Sequence, residues 1–89
     1  MKVKIELFGA SRDFSNQNSL NFDMDTNSTI EDIRKEIISY LDEKFNGNEN
    51  YKKIVNSSAF CSEDNNIVND NYKITNNEKI AIIPPIGGG

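Results

Sequence analysis

Histidine and tryptophan are absent from this sequence, and cysteine occurs once, as Cys61. Without imidazole, the chain cannot build a histidine-based catalytic triad or a zinc site with histidine ligands. A single cysteine cannot close an internal disulfide, which fits a reducing compartment. We therefore expect no metal site, and the composition does not favour self-contained catalysis.

Long apolar runs and an excess of positive charge are also missing. No hydrophobic stretch approaches the ~20 residues needed to span a bilayer, and the first residues alternate in polarity instead of forming the apolar segment of a signal peptide. The 10 Lys and Arg against 14 Asp and Glu give a net charge of −4, which disfavours nonspecific nucleic-acid binding and favours basic partners. We expect a cytoplasmic protein that binds neither membranes nor nucleic acid.

The length of 89 residues indicates one small domain with a single modest core. Such a chain has no room for a separate cofactor domain, so we expect it to bind no cofactor of its own. Clustered asparagines mark the turns between the predicted elements. We assign residues 1–83 to a globular domain and residues 84–89 to a flexible C-terminal tail.

Alternating polarity predicts strands at both ends of the chain. At residues 2–8, "KVKIELF" places every second residue on an apolar face, with Phe8 on the opposite face. The segment "LNFDM" alternates in the same way and would complete a hairpin. "SSAFCS" and "NIV" are weaker candidates, and "KIAII" at residues 79–83 is a strong final strand that Pro84 must end.

A change of period predicts one helix between these strands. Its apolar stripe, with residues spaced by three or four, comprises Ile30, Ile33, Ile37, Leu41 and Phe45. Ser28 and Glu31 match a capping box, and Gly47 is a suitable stop. The order β-β-α-β-β, with room for another short strand, predicts the α+β class. We expect a ubiquitin-like β-grasp roll, in which the helix packs across one face of a mixed sheet.

The C-terminal segment "IIPPIGGG" is poorly suited to folding, because glycine loses more backbone freedom than any other residue when it is fixed. Proline cannot donate a ladder hydrogen bond and favours an extended backbone. We therefore expect Pro84 and Pro85 to direct the tail away from the sheet. The tail would then serve an interaction and not the fold.

Three stretches of the sequence, "LFGASRDF", "STIEDIRKEI" and "NNEKIAIIPPIGGG", resemble one family. They look like the MoaD/ThiS group of ubiquitin-like sulfur carriers, and most like the small subunit of molybdopterin synthase. The most specific part is a strand followed by Pro-Pro, an aliphatic residue, a small residue and Gly-Gly. The third glycine, Gly87, and the polar segment 46–56 depart from the family pattern.

The resemblance implies a chain that is not catalytic alone. The terminal carboxylate of Gly89 would be adenylated by an E1-like adenylyltransferase and sulfurylase that uses ATP, and then converted to a thiocarboxylate. Inside the large subunit of molybdopterin synthase, this group would donate sulfur to the pterin precursor, cyclic pyranopterin monophosphate. The part of the tail that threads into the partner would comprise Pro84, Pro85, Ile86, Gly87 and Gly88.

A partner interface is predicted beside the tail. Parallel pairing of the first and last strands would place Phe8 and Ile83 together on the face of the sheet that the helix leaves uncovered. A few large apolar residues dominate most interfaces; the alternative is that both residues complete the edge of the core. Arg12 fits the family's arginine after the first strand and would contact the partner, with a solvated turn arginine as the alternative.

Other functions share this sequence pattern. The chain could carry sulfur for thiazole, thiamine or cysteine biosynthesis, or act as a protein modifier or a ubiquitin-like interaction module. Cys61 is more simply a small core residue than a sulfur relay. Glu31 and Asp32 suit a helix N-terminus and need no catalytic role.

Overall fold

The computed structural model describes residues 1–86. In chain order the elements are β1 (Lys2–Leu7), a 3₁₀ helix (Gly9–Phe14), β2 (Ser19–Asp23), β3 (Ser28–Thr29), α1 (Ile30–Phe45), α2 (Glu49–Ser57), β4 (Ala59–Cys61), β5 (Ile67–Val68), β6 (Lys73–Ile74) and β7 (Glu78–Ile83). Within this range, neither α-helix has the length and apolar character that crossing a membrane requires.

A mixed sheet with the strand order β2-β1-β7-β4-β5 forms one layer of the molecule. β1 and β7 are parallel at its centre, with Ile5 beside Ile80 and Leu7 beside Ile82. The other neighbours in this sheet are antiparallel. The apolar residues of both central strands therefore share one face, and the predicted parallel pairing is confirmed. β3 and β6 form a separate antiparallel pair.

α1 supplies the second layer of the core. Its buried residues join those of β1 and β7 in one cluster, and they are the predicted Ile30, Ile33, Ile37 and Leu41. Phe45, the last residue of the predicted stripe, is half-buried against the same cluster. Each fully buried aliphatic side chain contributes about 1.5–3 kcal/mol. The predicted mixed sheet with one main helix across one face is therefore confirmed.

The N-terminus of α1 lies one residue later than the predicted capping box. The Thr29 hydroxyl, and not that of Ser28, accepts a hydrogen bond from the Asp32 N–H at 3.3 Å. The Asp32 carboxylate in turn accepts one from the Thr29 N–H at 2.9 Å. Ser28 lies in β3, where its backbone pairs with Ile74 of β6. The prediction of Ser28 and Glu31 is therefore wrong, because the Ser28 hydroxyl instead donates to the Asp25 carbonyl oxygen at 2.7 Å.

The C-terminus of α1 is formed by two residues with left-handed backbone. Asn46 caps the helix at φ +55°, and Gly47 follows at φ +73°. Asparagine and glycine adopt this region more readily than other residues. The helix therefore turns one residue before the predicted glycine stop.

A second, shorter helix, α2, accompanies the one main helix and was not predicted from the sequence. The Asn48 side chain accepts a hydrogen bond from the Tyr51 N–H at 3.1 Å and caps its start. Only Val55 of this helix is fully buried. The Tyr51 ring packs on Phe14 and Phe45, with 5.2 Å and 5.0 Å between ring centres. These ring contacts stabilise a helix of nine residues, which is too short to be stable in isolation.

Arg34 joins α1 to α2 and to the loop before β6. Its guanidinium donates to the Val55 carbonyl oxygen at 2.6 Å and to the Asp70 carboxylate at 3.0 Å. It also lies 4.7 Å from the centre of the Phe60 ring. The Arg34 side chain is only 17% exposed, so these bonds are screened less than those of a surface ion pair. Arg34 therefore helps to fix α2 against the sheet.

Candidate functional site

The outer face of the large sheet, which points away from the core, carries one apolar area. We call it the apolar patch, and it comprises Phe8, Ala59, Cys61, Ile67, Ala81 and Ile83. In the strand register, Cys61 lies beside both Ala81 and Ile67, and Ala59 lies beside Ile83. The patch therefore continues across three neighbouring strands.

Two members of the apolar patch are strongly exposed. Ile67 is 67% exposed and Phe8 is 41% exposed, whereas the remaining members are half-buried. Single apolar residues are common on protein surfaces, but contiguous apolar areas often mark binding sites. The outer face is therefore the strongest candidate for a docking surface in residues 1–86.

Phe8 and Ile83, the two residues predicted at the centre of an interface, occupy neighbouring positions. Leu7 pairs with Ile82, and Phe8 continues β1 in an extended conformation, with φ −125° and ψ 155°. Alternation then turns the Phe8 side chain to the outer face, as it does for Ile83. The exposure of Phe8 disfavours the alternative in which it completes the core. The binding role of both residues stays a prediction.

Three members of the patch were not predicted from the sequence: Ala59, Cys61 and Ile67. A signal was present for two of them, since burial of Phe60 places its neighbours in "AFC" on the outer face. Their adjacency to Ile83 depended on the strand order, which local alternation does not reveal. Cys61 was interpreted as a small core residue, and this is corrected, because it is half-buried on the outer face.

Beyond the patch, the outer face of β1, β2 and β7 carries charged residues. Lys4 lies beside Lys79, and the Lys79 ammonium is 3.9 Å from the Glu6 carboxylate. The Lys2 ammonium lies 2.9 Å from the Asp23 carboxylate, and this hydrogen bond and the lysine charge lower the pKa of Asp23. Exposed pairs of this kind add little stability. They form a polar rim, as is usual around the apolar centre of an interface.

The tail leaves the body beside the apolar patch. Pro84 directly follows Ile83 and is buried, whereas Pro85 is exposed and Ile86 is 98% exposed. The exposed part of the tail therefore begins at Pro85. The predicted threading residues Gly87 and Gly88, and the predicted sulfur acceptor Gly89, lie outside the described residues. Flexibility over residues 84–89 stays a prediction.

The remaining candidate residues have separate positions. Arg12 is exposed on the 3₁₀ helix after β1, and its contact with a partner stays a prediction. Asp32 caps α1, and the backbone hydrogen bond from Thr29 lowers the pKa of its carboxyl group. Glu31 lies 3.7 Å from the Lys35 ammonium, one turn further along the helix. Capping and this helical pair account for both acidic residues.

Comparisons with known proteins find one family and one fold. A model of the ThiS family matches residues 5–89. The structure is similar to SAMP1 from Haloferax volcanii, with a TM-score of 0.71 at 14% identity over 100% of both chains. It is similar to a chain in the complex of subunits 1 and 2 of the molybdopterin-converting factor from Helicobacter pylori, with a TM-score of 0.61 at 20% identity over 100% of both chains. Ubiquitin from Caldiarchaeum subterraneum gives a TM-score of 0.62 at 16% identity, over 100% of this chain and 98% of that chain. These likenesses confirm the β-grasp fold, and no curated protein matches the sequence.

Proposed function

Because the chain belongs to the ThiS family of ubiquitin-like sulfur carriers, we propose that it carries sulfur on Gly89 for the synthesis of molybdopterin. It acts as the sulfur-donating small subunit of a synthase complex and is not catalytic alone. The observation that carries this proposal is the position of the apolar patch, which adjoins the point where β7 ends at the buried Pro84. The candidate docking surface and the first residue of the tail, Pro84, thus lie at the same end of the molecule.

The proposed chemistry starts from the C-terminal carboxylate. Its ordinary pKa is near ~3.5, so it is ionised at neutral pH and is a poor electrophile. A carboxylate oxygen attacks the α-phosphorus of ATP, and pyrophosphate leaves, which gives an acyl-adenylate. Hydrosulfide then attacks the acyl carbon, and the C–S bond forms as the bond to AMP breaks. Loss of one proton leaves a thiocarboxylate, whose sulfur is a better nucleophile than the oxygen it replaces.

Docking energy must come mainly from the body of the protein. Fixing the glycines of the tail costs about 1–2 kcal/mol for each residue, so the tail alone is a weak anchor. Covering about 300 Å² of apolar surface would contribute roughly 7 kcal/mol before the entropy of association is subtracted. The apolar patch supplies surface of this kind, and the glycines supply a chain without Cβ atoms for a narrow channel.

Two protein partners belong to this proposal. An E1-like adenylyltransferase binds ATP and carries out both activation and sulfur loading on Gly89. A large subunit then receives the loaded tail and holds the pterin precursor. The complex of two converting-factor subunits from Helicobacter pylori supports a partner of the second kind.

Reconstitution of the transfer reaction tests the pathway. We expect the thiocarboxylated chain, mixed with a molybdopterin synthase large subunit and the pterin precursor, to form molybdopterin and to return Gly89 to a carboxylate. A variant that lacks Gly88 and Gly89 should keep the wild-type Tm and bind the large subunit, but should form no product. A loaded wild-type chain that transfers no sulfur to the pterin would refute this pathway and leave the carrier function intact.

A second candidate acceptor is the thiazole precursor of thiamine. The third glycine of the tail, Gly87, favours it, because the small subunits of molybdopterin synthase often carry another small residue there. The same loaded chain can be mixed with a thiazole synthase in parallel. Sulfur transfer in that reaction alone would assign the chain to the thiazole pathway.

A further inference from the structure

The turn after β1 lies beside Pro84, the first residue after β7, because the register that pairs Leu7 with Ile82 places Gly9 next to Pro84. Gly9 has a φ of +55°, and a Cβ atom built on it would lie 3.9 Å from Cδ and 4.0 Å from Cγ of Pro84. The Pro84 residue is buried, whereas Pro85 and Ile86 are exposed. The turn is therefore close to the last buried residue before the exposed tail, and a side chain at position 9 would reach the Pro84 ring.

The turn is held together by its own buried hydrogen bonds. Ser11 is fully buried, and its Oγ donates to the Phe8 carbonyl oxygen at 2.6 Å and accepts from the Phe8 N–H at 2.9 Å. The Ser11 N–H also donates to the Phe8 carbonyl oxygen at 3.1 Å. Phe8 belongs to the apolar patch, so the same hydrogen bonds fix a residue of the patch and the turn beside Pro84.

We propose that the turn Phe8–Ser11 is a positioning element that sets the direction in which the tail leaves the body relative to the apolar patch. This inference rests on the proposed function, because it concerns delivery of the Gly89 carboxylate. The Pro84 ring fixes its own φ, and Pro85 restricts Pro84 to an extended backbone. The burial of Pro84 beside Gly9 therefore sets the direction of the chain as far as Pro85.

Direction at Pro84 matters because the tail is long. The five residues that follow span at most about 17 Å, so a modest rotation at Pro84 shifts the average position of the terminal carboxylate by several ångströms even when the tail is flexible. The apolar patch would still dock, but the local concentration of carboxylate at the partner's active site would fall. The turn should therefore influence kcat for adenylation more than KM for the carrier chain.

Substitution at Gly9 and Pro84 tests this mechanism. Gly9→Val places a β-branched residue at positive φ and forces the turn to move. Pro84→Ala removes the proline ring that lies beside the turn. We expect each variant to lower kcat for adenylation of Gly89 by about tenfold or more, with KM within about twofold of wild type. The kcat of the double variant should be only slightly lower than that of the more strongly affected single variant, because both changes act at the same place.

Gly47→Val is the matched control. Gly47 also has positive φ, at +73°, and a Cβ atom there would meet Asp42 at 3.8 Å, after α1 and not beside Pro84. It should lower Tm, as Gly9→Val does, and leave kcat unchanged. Equal losses of kcat in both variants would overturn the proposal, because they would reflect general strain. A rise in KM with unchanged kcat would also overturn it, since the turn would then act in docking.

A second readout does not depend on activity. A spin label on Ile86→Cys, in a Cys61→Ala background, should broaden the amide signals of one limited region near the exit of the tail. Gly9→Val and Pro84→Ala should each spread this broadening over a wider area, and an unchanged pattern in both would contradict the inference. If no adenylating enzyme loads the wild-type chain, the proposed function fails, but the label still reports whether the turn directs the tail.

Discussion

Replacement of Phe8 by alanine should weaken binding to the large subunit and leave the fold largely intact. Phe8 is 41% exposed in the free chain. A phenylalanine side chain buries about 200 Å², so about 80 Å² remains for a partner to cover. At about 25 cal/mol per Å², this surface contributes roughly 2 kcal/mol to docking. The Kd for the large subunit should therefore rise about 30-fold.

Titration calorimetry and thermal unfolding measure the two effects separately. The matched control is Phe45→Ala, which removes the same side chain from its packing on Tyr51, where the ring centres are 5.0 Å apart. It should lower Tm and leave Kd unchanged, because Phe45 lies at the end of α1 and not on the outer face of the sheet. The reasoning would be refuted if Phe8→Ala kept Kd within about twofold of wild type, since a central interface residue should exceed that.

Three further predictions concern stability. Arg34→Met removes the hydrogen bond to the α2 carbonyl oxygen and the ion pair in the loop. It should lower the free energy of unfolding by about 2 kcal/mol, and calorimetry should show a fall in Tm of roughly 8–16 °C; an unchanged Tm would contradict this role. Thr29→Ala should cost about 1 kcal/mol in a denaturant titration through loss of the cap, whereas Glu31→Ala should cost less than about 0.5 kcal/mol. The reverse order would support a cap at Ser28. Hydrogen bonds lower the pKa of Asp32 below its ordinary value of 3.8, so its stabilising contribution is complete above that pH and is lost as pH falls through the lower folded pKa. Asp32→Asn should therefore flatten the decline of Tm below about pH 4, and an equally steep decline would count against the cap.

The features predictable from the sequence are those with a strong local pattern. Alternation in β1 and β7 indicates which side chains are buried, and the spacing of three and four residues indicates the buried stripe of α1. The same alternation places Phe8 and Ile83 on the outer face. These patterns survive in the structure because one face of each element packs on the core.

The features that were missed depend on contacts that the local sequence pattern does not show. α2 packs through Tyr51 on Phe14, which lies far earlier in the sequence. The cap of α1 is at Thr29 because the Ser28 hydroxyl donates to the Asp25 carbonyl oxygen, and the sequence does not show which of two adjacent hydroxyls is free to cap. The apolar patch extends to Cys61 only because β4 lies beside β7.

The mass of the C-terminal peptide tests the central claim most directly. The chain is incubated with an adenylating enzyme of the family, ATP and sulfide, beside a family member that this enzyme is known to load. The account predicts that one oxygen of the Gly89 carboxylate is replaced by sulfur, and that omission of ATP prevents the change. An unmodified Gly89 peptide, with the reference carrier fully loaded in the same reaction, would contradict the account.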